Sequence, residues 1–431
     1  MDEEQIGKGP ASFWVPRKAI EALIAARATA SEIAAYLILA NHTPATGDYS
    51  TASFKAIRTR SGTGEKQARA AVVSLLNITY EGTRAKGPEA SQAGRMKRLV
   101  YSADEWTKRT KQIPPHGPTV RSQVRYVLNT TDHYGGLQKE IVWFGANLIK
   151  GFKDFDRPML ALRQCGDRAA RMLLLLYVHN AMDEWGGVSP LSTVYGEYES
   201  QVTFPAGRTN YTVHHWKHQH LSAWPTLFKP VIEGLPDHPD LAEKMRKAAA
   251  DPNHKKLAKL REESHDQKMQ EVFWPAFRAL ESHGFLYEVV TVCTAQPNEK
   301  NPTANDFPLY ELDAKSIHGY QPEGEGGLAG DTATLARDLG RPVTDGKGQF
   351  YGTYAAIAPA GTPIRVIGIY RLRFRVSNPK NATVADTWQL IGGRREEARG
   401  WIADCRHRAK LDKPATSDNA PDIFGDIFEN P

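Results

Sequence analysis

The stretch that decides the fold covers residues 50–76 and reads Ser-Thr-Ala-Ser-Phe-Lys-Ala-Ile-Arg-Thr-Arg-Ser-Gly-Thr-Gly-Glu-Lys-Gln-Ala-Arg-Ala-Ala-Val-Val-Ser-Leu-Leu. Two short helical patterns flank a Ser-Gly-Thr-Gly turn at positions 61–64. In the second pattern, apolar residues recur at the spacing of a buried helical stripe, at Ala68, Ala71, Val72, Leu75 and Leu76. The other face carries Glu65, Lys66, Gln67, Arg69 and Ser74, which predicts an amphipathic helix with an exposed outer face.

A glycine turn between two short helices is the sequence form of a helix-turn-helix, which places its second helix in the major groove of DNA. Arginine can bind a guanine edge, and glutamine an adenine edge, with two hydrogen bonds each. Backbone N–H groups at the start of the helix can hold a phosphate. The candidate DNA-binding residues of this segment are Arg58, Arg60, Thr63, Lys66, Gln67 and Arg69.

The flanking sequence extends this motif on both sides. Residues 30–41 predict a supporting helix, which Ser31 can cap. Residues 78–80 and 99–101 predict two strands around a loop rich in Gly, Lys and Arg. We expect the basic residues of this hairpin to contact phosphates or the minor groove; they are Arg84, Lys86, Arg95, Lys97 and Arg98.

The order helix, helix, turn, helix and basic hairpin over residues 12–106 resembles the N-terminal domains of plasmid and phage replication initiators, and winged-helix regulators generally. A second set of helices and a hairpin, formed by residues 285–292 and 307–312, resembles the second copy found in tandem initiators. The resemblance implies a protein of a bacterial mobile element that binds double-stranded DNA in replication initiation or its control. A transcriptional regulator, which would be a symmetric homodimer, is the alternative.

These patterns predict an α+β fold with two winged-helix domains. The domains cover residues 12–110 and 121–320, with a proline-rich linker at 111–120 and an insertion at 199–266 in the second. A helix is also predicted at 191–198, inside the second domain. A C-terminal region of a β-hairpin and a helix follows at 321–414, and an acidic tail at 415–431.

The C-terminal region contains a period-two pattern. Strands are predicted at 350–359 and 363–376, joined by a tight turn, with a helix at 387–410 that breaks near Gly392 and Gly393. Alternation with apolar residues places Arg371, Arg373 and Arg375 on one face of the second strand, so we add them to the candidate DNA-binding set.

The charge distribution favours a polyanionic partner. The chain carries a formal net charge of +6, with a pI near 9.0. Residues 55–111 hold thirteen Lys and Arg against five Asp and Glu, a local net charge of +8 that exceeds that of the whole chain. A basic cluster of this kind, within a helix-turn-helix pattern, is the electrostatic signature of nucleic-acid binding.

The composition and the spacing of cysteines argue against a membrane protein and against a disulfide-rich secreted protein. No apolar run reaches the roughly 18 residues that a transmembrane helix needs, so no membrane association is expected. The N-terminus, Met-Asp-Glu-Glu, does not read as a signal peptide, and Cys165, Cys293 and Cys405 are widely separated. We therefore expect a cytoplasmic protein without a disulfide framework.

A histidine-rich segment gives the enzymatic alternative. Residues 214–220 read His-His-Trp-Lys-His-Gln-His, in which His214 and His218 share a face on a helix, and His218 and His220 on a strand. The His-x-His pair is similar to that of rolling-circle nickases, although Gln219 replaces their hydrophobic middle residue. No nearby cysteine or carboxylate completes a metal site. The sequence therefore predicts no metal, no cofactor and no catalysis, with a metal-dependent nickase or nuclease as the alternative.

The C-terminal tail repeats Asp-Ile-Phe and holds four acidic and no basic residues between Asp418 and Pro431. It resembles the partner-docking tail of bacterial single-strand binding proteins. The resemblance assigns partner contacts to Phe424 and Phe428 and implies a replisome protein as a partner. The alternative is a tail that is disordered or packs on its own chain.

Overall fold

The computed structural model describes residues 12–43, 49–85, 98–110, 125–129, 140–152, 156–181, 187–188, 194–206, 209–219, 237–249, 254–294, 307–312, 328, 331–332, 335, 354–374 and 382–411. Helices and small sheets make the fold α+β. The chain forms two compact units, and neither is a continuous stretch. The first combines Met1–Thr193, Ser222–Tyr287 and Tyr370–Ala382; the second combines Val194–Leu221, Glu288–Ile369 and Thr383–Pro431.

The N-terminal part of the first unit alternates helices with short strands. Its helices are α1 (Arg17–Ala25), α2 (Ala30–Asn41), α3 (Phe54–Ser61), α4 (Glu65–Leu75), α5 (Ala103–Thr110), α6 (Asn147–Lys150), α7 (Pro158–Cys165) and α8 (Asp167–Val178). Its strands are β1 (Ser12–Pro16), β2 (Tyr49–Ser50), β3 (Val100–Ser102), β4 (Tyr126–Leu128) and β5 (Ile141–Gly145).

Helix α2 is the centre of this unit and is buried along nearly its whole length. It packs against α3, α4, α7 and α8. Thr29, not the predicted Ser31, is its N-cap residue and forms a capping box with Glu32. The Asp167 carboxylate of α8 accepts a further hydrogen bond from the Ala30 N–H at 2.8 Å. Two polar side chains therefore satisfy N–H groups in the first turn of α2.

Helices α3 and α4 form around the predicted turn. The Ser53 hydroxyl caps α3 by accepting a hydrogen bond from the Ala56 N–H at 3.1 Å. Gly62 ends α3 in the left-handed conformation, with φ of 61°. The predicted stripe of α4 is confirmed at Ala68, Ala71, Val72 and Leu75, all of which are buried.

Strand pairing connects segments that the sequence analysis assigned to separate domains. Of the predicted hairpin, the structure shows an isolated antiparallel bridge, in which Thr79 lies opposite Arg98. Residues 78–80 do not form a strand, and the strand that includes residues 100 and 101, β3, pairs with β4. Strand β4 lies between β2 and β3 in a three-stranded sheet, and β5 pairs with β1 along its whole length. The predicted boundary near residue 120 therefore does not separate two packed units. The predicted linker at 111–120 lies outside the described residues.

The first unit continues with β6 (Asn180–Ala181), β7 (Gly187–Val188), α9 (Pro239–Ala249), α10 (His254–Lys268), a π-helical turn (Met269–Phe273) and α11 (Trp274–Ser282). Pro275 stands in the first turn of α11, where a helix tolerates proline because the missing N–H has no partner within the helix. Phe277 packs edge-on against Tyr370 at 4.8 Å between ring centroids, and Phe285 lies 5.7 Å from Phe374. These rings join the 370–374 segment to the core of the first unit.

The second unit contains most of a six-stranded sheet and a long helix. The strands are β8 (Val194–Ala206), β9 (Thr209–Gln219), β10 (Leu286–Thr294), β11 (Phe307–Leu312), β12 (Tyr354–Pro359) and β13 (Ile364–Leu372), in the order β11-β10-β13-β8-β9-β12. The helix is α12 (Ala382–Leu411). Trp401 of α12 stacks on Tyr211 at 5.8 Å and meets Tyr310 edge-on, which packs the helix against the sheet.

Several sequence expectations about this unit were wrong. The predicted helix at 191–198 is the start of β8 where it is described, because aromatic and β-branched residues favour an extended chain there. The first part of the predicted insertion, β8 and β9, occupies the middle of the sheet. Strands β12 and β13 do not form a hairpin, since β8 and β9 lie between them. Helix α12 runs through Gly392 and Gly393 without a break. The predicted hairpin of β10 and β11 is confirmed.

An ion pair between a buried carboxylate and an arginine at the surface joins α2 to the turn that follows α4. Glu32 is only 2% exposed, and its two carboxylate oxygens accept hydrogen bonds from Arg84 at 2.7 and 2.9 Å. Arg84 also donates to the Ser74 hydroxyl of α4 at 2.7 Å. Burial raises the pKa of Glu32, but the hydrogen bonds from Arg84 and the Thr29 backbone outweigh that effect and hold the pKa below its ordinary value of 4.5.

We expect Arg84→Ala to reduce the free energy of unfolding by about 3 kcal/mol, because it leaves the Glu32 carboxylate buried without a cation. The matched control is Arg69→Ala, which removes an arginine from an exposed ion pair and should change stability little. Urea unfolding at pH 7 measures both. Equal losses in the two variants would contradict the structural role of Arg84.

The same pair predicts a pH dependence. A carboxyl group whose pKa is lowered by folding stabilises the protein above its unfolded pKa and loses that contribution as the pH falls through its folded pKa. In Arg84→Ala the buried carboxyl loses the hydrogen bonds from Arg84 that lower its pKa, so it takes up a proton at a higher pH than in the unmodified protein. The difference in unfolding free energy between the two proteins should therefore shrink as the pH falls and be smallest below the lowered pKa of Glu32, where the carboxyl is protonated in both. A difference that stays constant from pH 7 down to pH 3 would show that Glu32 is not its source.

Candidate nucleic-acid interface

The outer faces of α3 and α4 form a basic surface, which we call the α3–α4 surface. It carries five predicted residues, all of them exposed: Arg58, Arg60, Lys66, Gln67 and Arg69. Lys55 is a further exposed cation, and Glu65 is the one acidic residue of this 54–75 segment. The structure brings Arg58 and Arg69 together at Glu65, whereas Arg60 lies against the backbone of Lys150 in α6. The apolar stripe of α4 faces α2.

Glu65 links the two helices across the turn. Its carboxylate accepts hydrogen bonds from Arg69 at 2.8 and 3.2 Å and lies 3.8 Å from the Arg58 guanidinium. The hydrogen bond from Arg69 lowers the pKa of Glu65. Arg69 also lies over the Phe54 ring, 4.9 Å from its centroid. Because exposed ion pairs contribute little to stability, both arginines can exchange Glu65 for another anion.

Helix α7 fixes the turn between α3 and α4. The Arg163 guanidinium donates hydrogen bonds to the backbone carbonyl of Ser61 at 2.9 Å and to the Ser31 hydroxyl at 3.1 Å. Leu160 packs against Gly62 so closely that a Cβ atom there would lie 2.9 Å from its Cδ1. A side chain at position 62 would therefore be strained both by its positive φ and by this contact.

Two cations that are not part of the predicted motif, Lys150 and Arg125, lie close to arginines of this surface. Lys150 of α6 accepts a hydrogen bond from Arg60 at its backbone carbonyl, at 3.2 Å. Burial lowers the pKa of His42, and the charges of Arg60 and Lys150 lower it further, so all three residues lie close together. Burial raises the pKa of Tyr126 in β4, and the charges of Arg125 and Arg69 partly offset this effect, so Arg125 lies near Arg69. No local sequence pattern connects Lys150 or Arg125 with α3.

Thr63 was predicted to contact DNA, and the structure corrects this assignment. Its side chain is buried, and its hydroxyl lies 2.8 Å from the Ser61 hydroxyl, with which it shares a hydrogen bond. Ser61 in turn donates to the Ile57 carbonyl at 2.6 Å. Thr63 therefore stabilises the inside of the turn and does not face solvent.

Two basic residues of the predicted hairpin are also structural. Arg84 is engaged by Glu32 and Ser74, as described above. Arg98 is only 5% exposed, and its guanidinium lies 3.2 Å from the Glu105 carboxylate of α5. Both side chains bind carboxylates of their own fold, so we remove them from the candidate interface. Lys86, Arg95 and Lys97 lie outside the described residues.

The predicted row of three arginines after residue 370 does not form one exposed face. Arg371 is only 6% exposed, between the buried residues Tyr370 and Leu372. Arg373 is exposed but lies beyond the end of β13, over the Phe152 ring at 5.1 Å. The predicted alternation fails because the chain turns after Leu372. Arg375, Phe424 and Phe428 lie outside the described residues.

The histidine-rich segment falls largely on β9. Because residues 214–219 form a strand, the helical arrangement in which His214 and His218 would share a face is not formed. His220 lies outside the described residues. Within the described ranges, no group of three or more His, Cys, Asp or Glu side chains could hold a metal ion.

No helix in the described part of the chain has the length and apolar character needed to cross a membrane. Neither a protein-family model, nor a curated protein, nor a solved structure matches the chain.

The turn provides a matched pair of glycine substitutions. Gly62→Ser places a side chain at positive φ and against Leu160, so we expect a loss of more than about 1 kcal/mol of unfolding free energy. Gly64→Ser meets open space at an N-cap position that favours serine, so its stability should be unchanged or slightly higher. Thermal or urea unfolding distinguishes the two. Similar losses at both positions would mean that α7 does not fix the turn.

Proposed function

We propose that the N-terminal part of the first unit is a winged-helix domain, and that the protein binds double-stranded DNA sequence-specifically with the α3–α4 surface. One observation carries this proposal. Helix α4 is buried on one side against α2, and its opposite side is exposed and carries Lys66 and Arg69, with Arg58 of α3 joined to Arg69 through Glu65. A helix held in this way by a fixed turn is the form that a DNA-reading helix takes.

The dimensions of α4 suit the major groove. An α-helix with its side chains is about 10–12 Å across, and the major groove is about 12 Å wide. The eleven residues of α4 extend about 16 Å, enough to span several base pairs along the groove. Lys66 and Gln67 stand in the first turn of α4, the part of such helices that contacts base edges. Their side chains can bind guanine and adenine, respectively.

The neighbouring cations suit phosphate contacts. Arg58 lies beside Glu65 at the start of α4, and Arg60 of the same helix α3 lies against the backbone of Lys150. We propose that these three cations contact the DNA backbone beside the groove that α4 enters. Phosphate contacts of this kind fix the orientation of a protein on DNA without reading sequence. A phosphate beside Arg60 and Lys150 would offset their effect on His42 and raise its pKa.

The biological role that we propose is replication initiation or its control on a mobile element, and it rests on the resemblance of residues 12–106 alone. The regulator alternative predicts a palindromic DNA footprint, whereas an initiator predicts directly repeated footprints near an origin. The proposal is limited to the N-terminal winged helix, because the strands of the predicted second copy belong to the six-stranded sheet.

We expect Lys66→Ala combined with Arg69→Ala to abolish sequence-specific binding, since each base contact contributes about 1–3 kcal/mol of discrimination. The charge-matched control is Lys244→Ala with Arg246→Ala, two exposed residues of α9. Fluorescence anisotropy with a DNA duplex selected from a random library measures affinity, and circular dichroism checks the fold. If the specific affinity of both variants is unchanged, α4 does not read DNA.

Affinity should also fall steeply with salt, because each phosphate that is neutralised contributes about −0.9 to the slope of log affinity against log salt. Arg60→Ala with Lys150→Ala should make this slope shallower by about 1.8 while leaving base preference intact. A slope near zero in the unmodified protein would exclude nucleic acid as its main partner.

A further inference from the structure

A valine stands on the exposed face of α4, in the last turn of the helix. Among the described residues, four large apolar side chains are exposed, and Val73, which is 60% exposed, is the one on the α3–α4 surface. Single exposed apolar residues are common on protein surfaces. The position of Val73 matters because the surrounding face is basic and the proposed function places this face on DNA.

Helical geometry puts Val73 in line with the first reading residue. Lys66, Ala70 and Val73 are spaced i, i+4 and i+7, and seven residues bring a helix back to within about 20° of its starting direction. All three are exposed, while the buried residues of α4 lie on the opposite side. The exposed face of α4 therefore has an apolar stripe of Ala70 and Val73 that begins at Lys66, with Arg69 at its edge.

We infer that Val73 is a specificity-determining residue that contacts the 5-methyl group of a thymine in the major groove. This inference rests on the proposed function and adds one base preference to it. The thymine methyl is the apolar group that base pairs display in the major groove, and it pairs with apolar side chains. Duplex DNA has a polyanionic backbone and displays isolated thymine methyl groups in its major groove, so it matches a basic helix face that also carries an apolar patch.

The local structure makes Val73 suitable for this contact. A valine in a helix has one strongly preferred side-chain rotamer, so it loses little conformational freedom on binding. The Asn77 side chain donates a hydrogen bond to the Val73 carbonyl at 3.1 Å and satisfies a backbone acceptor at the end of α4. The methyl groups of Val73 are therefore held at a defined place on the surface.

The geometry also predicts where the thymine lies. Val73 is about 10 Å along the helix from Lys66, because each residue adds about 1.5 Å. Base pairs follow each other at about 3.4 Å, so the two residues should read positions about three base pairs apart if α4 follows the groove. The position that depends on Lys66 is identified by the loss of base preference in Lys66→Ala.

The test uses the full chain and the duplex selected from a random library, in which each thymine is replaced in turn by deoxyuridine. This change removes one methyl group and leaves every hydrogen-bonding group in place. We expect one replacement, about three base pairs from the Lys66 position, to weaken binding about fourfold. Val73→Ala should bind the thymine duplex about fourfold more weakly and should no longer distinguish thymine from deoxyuridine at that position.

Two control variants make the result specific. Val73→Thr keeps the side-chain shape but replaces one methyl group by a hydroxyl group, so it should lose part of the methyl preference. Ile141→Ala changes an exposed apolar residue outside α3 and α4 and should leave both affinity and methyl preference unchanged. All variants should keep the melting temperature of the unmodified protein, since both residues are exposed.

The outcomes separate this inference from the proposed function. Specific, salt-dependent binding with no deoxyuridine effect in the unmodified protein would overturn the methyl contact and leave DNA binding intact. Failure to select any DNA sequence would overturn both. Loss of self-association or of a protein contact in Val73→Ala, with DNA affinity unchanged, would assign this face to a protein partner and also overturn the inference.

Discussion

The Glu32 carboxylate is the point on which the geometry of the candidate DNA-binding region depends. It accepts hydrogen bonds from the first turn of its own helix and from Arg84, and Arg84 also binds Ser74. Helix α2, the end of α4 and the turn that leads into the basic loop are therefore joined by one buried charge. A buried carboxylate without its cation costs several kcal/mol, so this arrangement resists independent movement of the three segments.

The second constraint comes from residues far along the chain. Arg163 and Leu160 of α7 hold the turn between α3 and α4, and Asp167 of α8 satisfies the start of α2. Strands β4 and β5 complete sheets that begin with β2 and β1. A fragment that ends at residue 110 would lack all of these contacts. The surface that we propose to read DNA is consequently a property of the whole first unit, although its side chains come mostly from α3 and α4.

The sequence predicted α3, α4 and their turn well, because local signals agree there. Ser53 and Gly62 mark the ends of α3, and the apolar stripe has the period of a helix. The sequence-based predictions were wrong where strands pair with segments that are distant along the chain. The short link between β12 and β13 suggested a hairpin, but β9 pairs with β12 and β8 with β13. No local pattern reports that kind of pairing, since the partners are more than 130 residues away.

Some of the predicted site residues were wrong for a related reason, because the sequence gives the type of a side chain but not its burial. Arg58, Arg69, Arg84 and Arg98 all belong to one basic region, and each lies beside a carboxylate. The carboxylate is buried at Glu32 and exposed at Glu65, and this difference decides the role of the arginine. If an arginine moves away from a buried carboxylate, an unpaired charge stays buried and destabilises the fold.

An arginine beside an exposed carboxylate can leave at little cost, because water and salt already weaken that pair. Glu65 is exposed and lies between Arg58 and Arg69 at the start of α4, which is where a phosphate would bind. Its carboxylate lies 2.8 Å from the Arg69 guanidinium and 3.8 Å from that of Arg58. Glu65 therefore acts both as an orienting partner and as a competitor for the anion, so the net binding strength of this surface depends on the balance between these two effects.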